Sequence, residues 1–424
     1  MLTAIVGINW GDEGKGRMVD LLSEGCDVVV RYQGGNNAGH TVINEKGRFA
    51  LNLLPSGILR SQTVNVMGNG MVVDLEHLCG EIASLREKGV DVTPDNLKLS
   101  DKAVLCLPFH KLMDQLEERR LADKKYGSTQ RGIAPAYSDK YMKKALRAED
   151  LFLGENALRD KIAALCEWKN LTVQKGYGEK PVEPAAVLDW LEKYGGPIKE
   201  YVADTSALLY RAARARKRIL FEGQLGALRD IDFGIYPYTT SSSTIAAYAP
   251  IGAGVPGLKL DKTVGIMKAY SSCVGEGPFT VEFSGKEAEL LREAGGEYGA
   301  ATGRPRRVGP FDVPASRYGC GVQGADCLAL TKLDVLSYMD KIPVCTAYQI
   351  NGKITTEFPS GENLAKAKPI VEYREGFKRD ISGCRKAADL PKAAFDYVKY
   401  VEKTVGCPVK YVSVGPERGQ IIVM

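Results

Sequence analysis

Trp10-Gly11-Asp12-Glu13-Gly14-Lys15-Gly16-Arg17 lies between an apolar run of strand length, Leu2 to Ile8, and a short helical stripe of Met18, Val19, Leu21 and Leu22. A second apolar run, Asp27-Val28-Val29-Val30-Arg31, follows. Strand, glycine loop, helix and strand open a βαβ unit. The expected fold is therefore α/β, with a large, mostly parallel twisted sheet flanked by helices. The loop also has chemistry. Glycines let backbone N–H groups approach phosphate oxygens, and the following helix N-terminus adds partial positive charge. Lys15 adds a full one. This is not a Walker A loop, because Gly16 stands where Ser or Thr would hold magnesium. Asp12 is then the carboxylate available to a metal. The plainer alternative is a glycine-rich structural turn with surface charges.

Outward from this loop the alternation continues. Val64 to Met67 reads as a third strand, and Asp74 as the N-cap of a helix whose stripe is Leu75, Leu78, Ile82 and Leu85, ended by Gly89. Arg218 to Phe221, Val264 to Met267 and Cys327 to Thr331 read as further buried strands. Pro391 opens a helix with Ala394, Val398, Val401 and Val405 inward, and Val409 to Val414 is expected as the last strand. The middle is richer in helix and charge, with Arg211, Arg214 and Arg218 expected along a solvated helix face. The expected organisation is one α/β domain over residues 1–424, with a helical subdomain at roughly 105–216.

Composition bounds the function. Hydrophobic residues at 44% and charged residues at 26% exclude a disordered chain, a collagen and a simple coiled coil. No apolar stretch reaches the roughly 18 residues of a membrane span, and Met1 to Gly7 reads as a core strand rather than a signal peptide. A cytoplasmic protein without membrane contact is expected. A net charge of +5 and a pI near 8.5 are too mild to argue for nucleic acid and suit anionic small ligands. Ten scattered cysteines without a Cys-x-x-Cys pair argue against zinc, and they are expected reduced. The 46 glycines exceed the roughly 7% norm and cluster in polar runs, which favours an enzyme with backbone-lined loops.

Three more stretches carry chemistry. Gly34-Gly35-Asn36-Asn37-Ala38-Gly39-His40-Thr41 follows the second strand. Of the three histidines, His77 and His110 are expected at the surface. His40 sits among glycines and amides past a strand's C-terminal end, the edge where open α/β sheets bind ligands. In isolation it reads as a hydrogen-bonded loop histidine. Thr331-Lys332-Leu333-Asp334 also follows a strand. Such a Thr/Asn-Lys-x-Asp run suits guanine, whose two N–H groups on one edge the carboxylate accepts, so GTP is expected over ATP. An ordinary strand-to-helix loop is the alternative. Gly299 to Arg307 places Arg304, Arg306 and Arg307 beside glycines. Guanidinium groups bind carboxylates and phosphates bidentately. The rival nucleic-acid patch has little aromatic residue interleaved here.

With these stretches in place, the chain resembles the adenylosuccinate synthetase family over nearly its whole length. The matching motifs run in order: Trp10 to Gly16, Gly34 to Thr41, Pro55 to Leu59, Arg131 to Ile133, Phe221 to Gly223, Asp230 to Asp232, Tyr236 to Tyr238, Lys268 to Tyr270, Thr302 to Arg304 and Thr331 to Leu336. The resemblance implies a sheet like that of the P-loop nucleoside triphosphatases. It implies a Mg²⁺-requiring, GTP-dependent ligation of L-aspartate to IMP, giving adenylosuccinate, GDP and phosphate.

The resemblance also implies residue roles. Asp12 matches the general base, which frees the purine 6-oxygen to attack the γ-phosphate, and His40 the acid that stabilises the transferring phosphoryl group. The amine of aspartate then displaces phosphate from 6-phosphoryl-IMP. Asp12 and the Gly39 carbonyl match the metal ligands. Contacts to IMP fall on Asp12, Lys15, Asn37, Thr129, Lys143, Gln224, Thr240 and Arg304. Those to aspartate fall on Ala300, Ala301, Thr302, Gly303, Arg304 and Arg306. Those to GTP fall on Gly14, Lys15, Gly16, Arg17, Arg306, Lys332, Asp334, Ser413 and Gly415. The family is a homodimer in which a basic residue crosses into the neighbour's nucleotide site, and Lys143 aligns there.

Some positions depart from the family's pattern. Gln130 replaces a glycine and Pro305 an arginine. Gly223-Gln224-Leu225-Gly226 replaces Gly-Ala-Gln-Gly, so Gln224 comes one place early and Leu225 takes the glutamine's position. A viral branch aminates a guanine nucleotide and lacks the catalytic aspartate, so Asp12 argues for IMP. Two other readings remain: the same mechanism on another 6-oxopurine nucleotide such as GMP or dGMP, and a GTP-binding switch without catalysis. The switch would leave Asp12 with His40 unexplained.

Overall fold

The structure, a computed structural model, describes residues 1–44, 47–299 and 303–424. Among the described residues, ten strands form one sheet. In chain order they are β1 (Leu2–Gly7), β2 (Val28–Arg31), β3 (Val64–Met67), β4 (Leu97–Ser100), β5 (Val202–Ala203), β6 (Ile219–Gly226), β7 (Lys262–Lys268), β8 (Cys327–Thr331), β9 (Val409–Ser413) and β10 (Ile421–Val423). Across the sheet the order is β10-β9-β8-β7-β1-β6-β2-β3-β4-β5. Neighbouring strands run parallel, except that β10 returns antiparallel to β9.

The period-two alternation of a strand divides the core between the two faces of the sheet. Ala4, Val6, Val28, Val30 and Phe221 pack on one side. Ile5, Val29, Leu220, Val264 and Ile266 pack on the other, against Met18 and Val19 of helix α1 (Lys15–Leu22). Burial on both faces is why these strands read as continuous apolar runs. Parallel strands also send their following loops to one edge, so the loops after β1, β2, β6, β7, β8 and β9 gather there.

Three expectations need correction. The last strand is not Val409 to Val414: the chain turns and adds β10, where Ile422 is fully buried. Arg218 is not on a helix face, because the helix Thr205–Arg214 ends earlier. The Arg218 backbone N–H instead donates to the Asp27 carboxylate at 2.7 Å, leading into β6. His110 is not at the surface but fully buried. It lies in the first turn of the helix Pro108–Leu121. Its Nδ1 accepts from the Leu107 N–H at 2.9 Å, and its Nε2 pairs with Asp139 at 2.8 Å. Lys169 closes on the same carboxylate, so the charges that surround His110 are satisfied inside the fold. The stretch 105–216 carries five helices among its described elements and also supplies β5, the sheet's far edge. All ten cysteines are free thiols, and Cys106 is fully buried as its apolar neighbours imply. No described helix is long and apolar enough to cross a membrane.

Candidate active site

The loop after β1 is folded over its own carboxylate. Gly11, Asp12 and Gly14 have φ of +97°, +59° and +92°. Glu13 is buried, and its Oε1 accepts from the backbone N–H of Gly11 at 2.8 Å and of Asn9 at 3.2 Å. Its Oε2 pairs with Lys15 Nζ at 2.6 Å. The Thr331 hydroxyl donates to the Glu13 carbonyl at 2.7 Å, tying the loop to the end of β8. Asp12, about a third exposed at 34%, keeps its carboxylate outward and meets Arg306 Nη2 at 3.2 Å.

The loop after β2 closes onto the first. A Cβ on Gly16 would lie 2.3 Å from His40 Cδ2, so only glycine lets the imidazole sit against the N-terminal turn of α1. His40 Nε2 lies 2.7 Å from Ser56 Oγ and 3.3 Å from Glu222 Oε1. Ser56 in turn gives its hydroxyl and its backbone N–H to Glu222, at 2.9 and 2.8 Å. Burial pushes the His40 pKa down to about 4, against the opposing pull of Glu222. In this state the ring is neutral at pH 7.

Gln224 joins the same loop. The pairing of β1 with β6 slips, with Ile5 opposite Glu222 but Gly7 opposite Gly226. Leu225 takes φ +61° in the slip. The Gln224 amide then donates to the carbonyls of Gly35 and Ala38 at 3.1 and 3.2 Å, and to Asn37 Oδ1 at 3.3 Å. Asn37 Nδ2 reaches Thr240 Oγ1 at 3.5 Å. Asn37, Gln224 and Thr240 are thereby assembled, although Gln224 comes one place early in the sequence.

Lys332 has φ +58° and donates to the Gly295 carbonyl at 2.6 Å. Two residues on, Asp334 Oδ1 is buried without a hydrogen-bond partner among the described residues, and burial raises its pKa. Arg17 spends its guanidinium on the β9–β10 turn, donating to Ser413 Oγ at 2.7 Å and to the carbonyls of Gly415, Glu417 and Gln420.

The remaining candidates lie further out. Ala300, Ala301 and Thr302 fall outside the described residues. Gly303 and Arg304 are exposed, and Arg304 meets Glu276 at 3.3 Å. Glu276 also lies against Gly127, so the 127–132 loop carrying exposed Thr129 faces the arginine loop across it. Asp114 holds that loop, accepting from Ser128 Oγ at 2.6 Å and from the Gly132 N–H at 2.9 Å. Lys143 caps the helix Ile133–Met142 with φ +62°, and its exposed side chain has no hydrogen bond or ion pair among the described residues. Exposed Tyr141 and Met142 lie beside it. Nothing in this chain joins it to the loops above, among the residues described.

Reading the sequence for loops missed the carboxylates behind them: Glu13, Glu222 and Glu297. Glu222 did carry a signal, a lone carboxylate in an apolar strand, because a buried charge needs partners.

A helix N-terminus fed by a glycine loop, a carboxylate and an imidazole beside it, and a buried carboxylate oxygen after β8 with no partner among the described residues suit a nucleotide-using α/β enzyme. The profile of the family described as adenylosuccinate synthetase matches residues 4–422. Among curated proteins, the adenylosuccinate synthetase of Caldanaerobacter subterraneus subsp. tengcongensis is 46% identical over 424 residues, covering 100% of this chain and 99% of its own. That of a Synechococcus strain is 44% identical, over 99% of this chain and 95% of its own. The fully ligated adenylosuccinate synthetase of Plasmodium falciparum superposes with a TM-score of 0.93 at 35% identity, covering 100% of this chain and 99% of its own. The chain belongs to the adenylosuccinate synthetase family. The succinoaminodeoxyadenylate synthetase of cyanophage S-2L, solved with dGMP and dATP, shares the fold at a TM-score of 0.60 and 20% identity.

Proposed function

We propose that Asp12 and His40 divide the acid–base work of the family's reaction. That reaction is the GTP-dependent ligation of L-aspartate to IMP, in AMP biosynthesis. The observation that carries this reading is the contact of the two glycine loops, with the His40 ring against Gly16 and Asp12 just ahead of the same helix N-terminus. The 6-oxo group of a purine is a poor leaving group. Asp12 removes the ring N–H proton, and the 6-oxygen becomes nucleophilic enough to attack the γ-phosphate. Backbone N–H groups of the first turn of α1 and Lys15 stabilise the charge on the phosphoryl group. Ser56 gives its proton to Glu222, so its oxygen accepts from His40 Nε2–H. The arriving phosphate charge, with Glu222 behind the ring, would draw a second proton from solvent onto Nδ1, which His40 presents to the transferring phosphoryl group.

Asp12 and the Gly39 carbonyl are hard oxygen donors and fit Mg²⁺, which leaves positions for phosphate and water. Bound there, the ion would neutralise phosphate charge. Arg304 and Arg306, with the loop Ala300 to Gly303, take aspartate. Asn37, Thr129, Gln224 and Thr240 take IMP. Gly14 to Arg17, Lys332, Asp334, Ser413 and Gly415 take GTP. Arg17 does so by holding Ser413 and Gly415. The retained Asp12 supports IMP over a guanine nucleotide. The ten free thiols support a cytoplasmic setting.

Lys143 serves the partner's IMP site in a homodimer. Its exposed side chain, without an ion pair among the described residues and beside exposed Tyr141 and Met142, supports this. Lys143→Ala is expected to weaken IMP binding and leave GTP binding unchanged. The test mixes Lys143→Ala with Asp12→Asn at sub-saturating IMP, where each has low activity alone. Exchanging subunits form heterodimers in which one site has both an intact base and an intact crossing lysine. Activity should reappear, approaching about half of wild type per heterodimer. No recovery despite demonstrated subunit exchange would overturn the shared site.

A further inference from the structure

Glu297 is fully buried, and three cations from three segments meet on its carboxylate. Its Oε1 accepts from Lys268 Nζ at 2.7 Å, Lys332 Nζ at 2.9 Å and Tyr270 Oη at 2.5 Å. Its Oε2 accepts from Arg306 Nη1 at 2.8 Å. Lys268 ends β7, Lys332 follows β8 two residues before Asp334, and Arg306 closes the arginine loop. The backbone repeats the connection. The Arg306 N–H donates to the Glu297 carbonyl at 2.9 Å, and the Gly299 N–H to the Arg304 carbonyl at 2.8 Å. Glu297 and Arg306 thus form the neck of the loop assigned to aspartate.

The neck leaves Arg306 with donors to spare. Nη1 is held by Glu297 and Nη2 lies 3.2 Å from Asp12, while Nε is buried without a partner among the described residues. With Nη1 held by Glu297 the guanidinium plane is fixed, and Nη2 is directed to the Asp12 side of the site, where a charged donor meets a carboxylate.

We infer that Glu297 is a positioning residue that couples the aspartate-binding loop to the guanine-reading segment, by fixing Arg306 and Lys332 on one carboxylate. This rests on the reading of Arg306 and Asp334 given above. With Glu297 neutral, three inward cations lose their counter-charge. Burial already pushes Lys268 down to about 8 in the intact network. Arg306 then turns to the remaining carboxylate, Asp12, and leaves the substrate. Lys332 keeps the Gly295 carbonyl but loses the charged one of its two anchors beside Asp334.

The test measures KM for each substrate, the GTP-to-ATP ratio of kcat/KM, IMP affinity and the thermal midpoint for Glu297→Gln. The expected result is a KM for aspartate raised about 10- to 100-fold. The GTP preference should fall at least threefold, and IMP affinity should change less than the KM for aspartate. A lowered midpoint, with aspartate KM and the GTP-to-ATP ratio both within threefold of wild type, would reduce Glu297 to a structural role and overturn the inference. Lys332→Met provides a second route that keeps Glu297. Coupling requires it to raise the KM for aspartate, though Lys332 lies outside the arginine loop. An effect confined to GTP would also overturn the inference. Arg306→Ala separates the two levels. An unchanged aspartate KM in that variant would sink the site assignment itself. A raised one beside an unaffected Glu297→Gln would sink only the coupling.

Discussion

Asp12→Asn is expected to lower kcat by about 10²–10⁴-fold, the usual worth of a positioned general base. The amide fills the same space but cannot take the purine N–H proton. It also carries no charge for Arg306, which lies 3.2 Å away, or for a metal ion. The fold should persist. Asp12 is partly exposed, and its φ of +59° is one that asparagine adopts readily. Steady-state turnover at saturating IMP, GTP and aspartate, beside the thermal midpoint, checks this. Turnover within threefold of wild type in a folded variant would remove Asp12 from the chemistry.

The second large effect concerns the nucleotide. GTP should exceed ATP in kcat/KM by about tenfold or more. Asp334 Oδ1 is buried without a partner among the described residues, and burial raises its pKa. Both facts describe a carboxylate whose charge is costly until donors arrive. Guanine brings two N–H groups on one edge. Adenine brings an acceptor to the same place, and an unpaired buried carboxylate costs roughly 1–3 kcal/mol or more. Asp334→Asn presents one donor and one acceptor, so the preference should erode toward parity. Equal kcat/KM for the two nucleotides in the unaltered enzyme would contradict the guanine reading.

The frame of this site was legible because it is local. The apolar runs at Leu2 to Ile8 and Val28 to Arg31 became β1 and β2, and Asp74 capped its helix by accepting from the His77 N–H. The glycine loops after them fold onto each other, with the His40 ring against Gly16. What stayed hidden was set by distant segments. Nothing near His110 in the sequence says that Asp139 and Lys169 will enclose it. Nothing near Glu297 says that lysines 29 and 35 positions away will share its carboxylate. Gln224 looked misplaced by one residue. The slip between β1 and β6 brings its amide to Asn37, and a register slip depends on the partner strand as much as on the residue itself.

The central claim is that the 6-oxygen of IMP attacks GTP before aspartate arrives at that carbon. The direct measurement uses IMP carrying ¹⁸O at the 6-position, turned over with GTP and aspartate, with the released phosphate analysed by mass spectrometry. The account predicts one labelled oxygen in phosphate for each adenylosuccinate formed. Phosphate free of label, with the ¹⁸O found in water, would show that aspartate displaces the oxygen without phosphoryl transfer to it and would contradict the account.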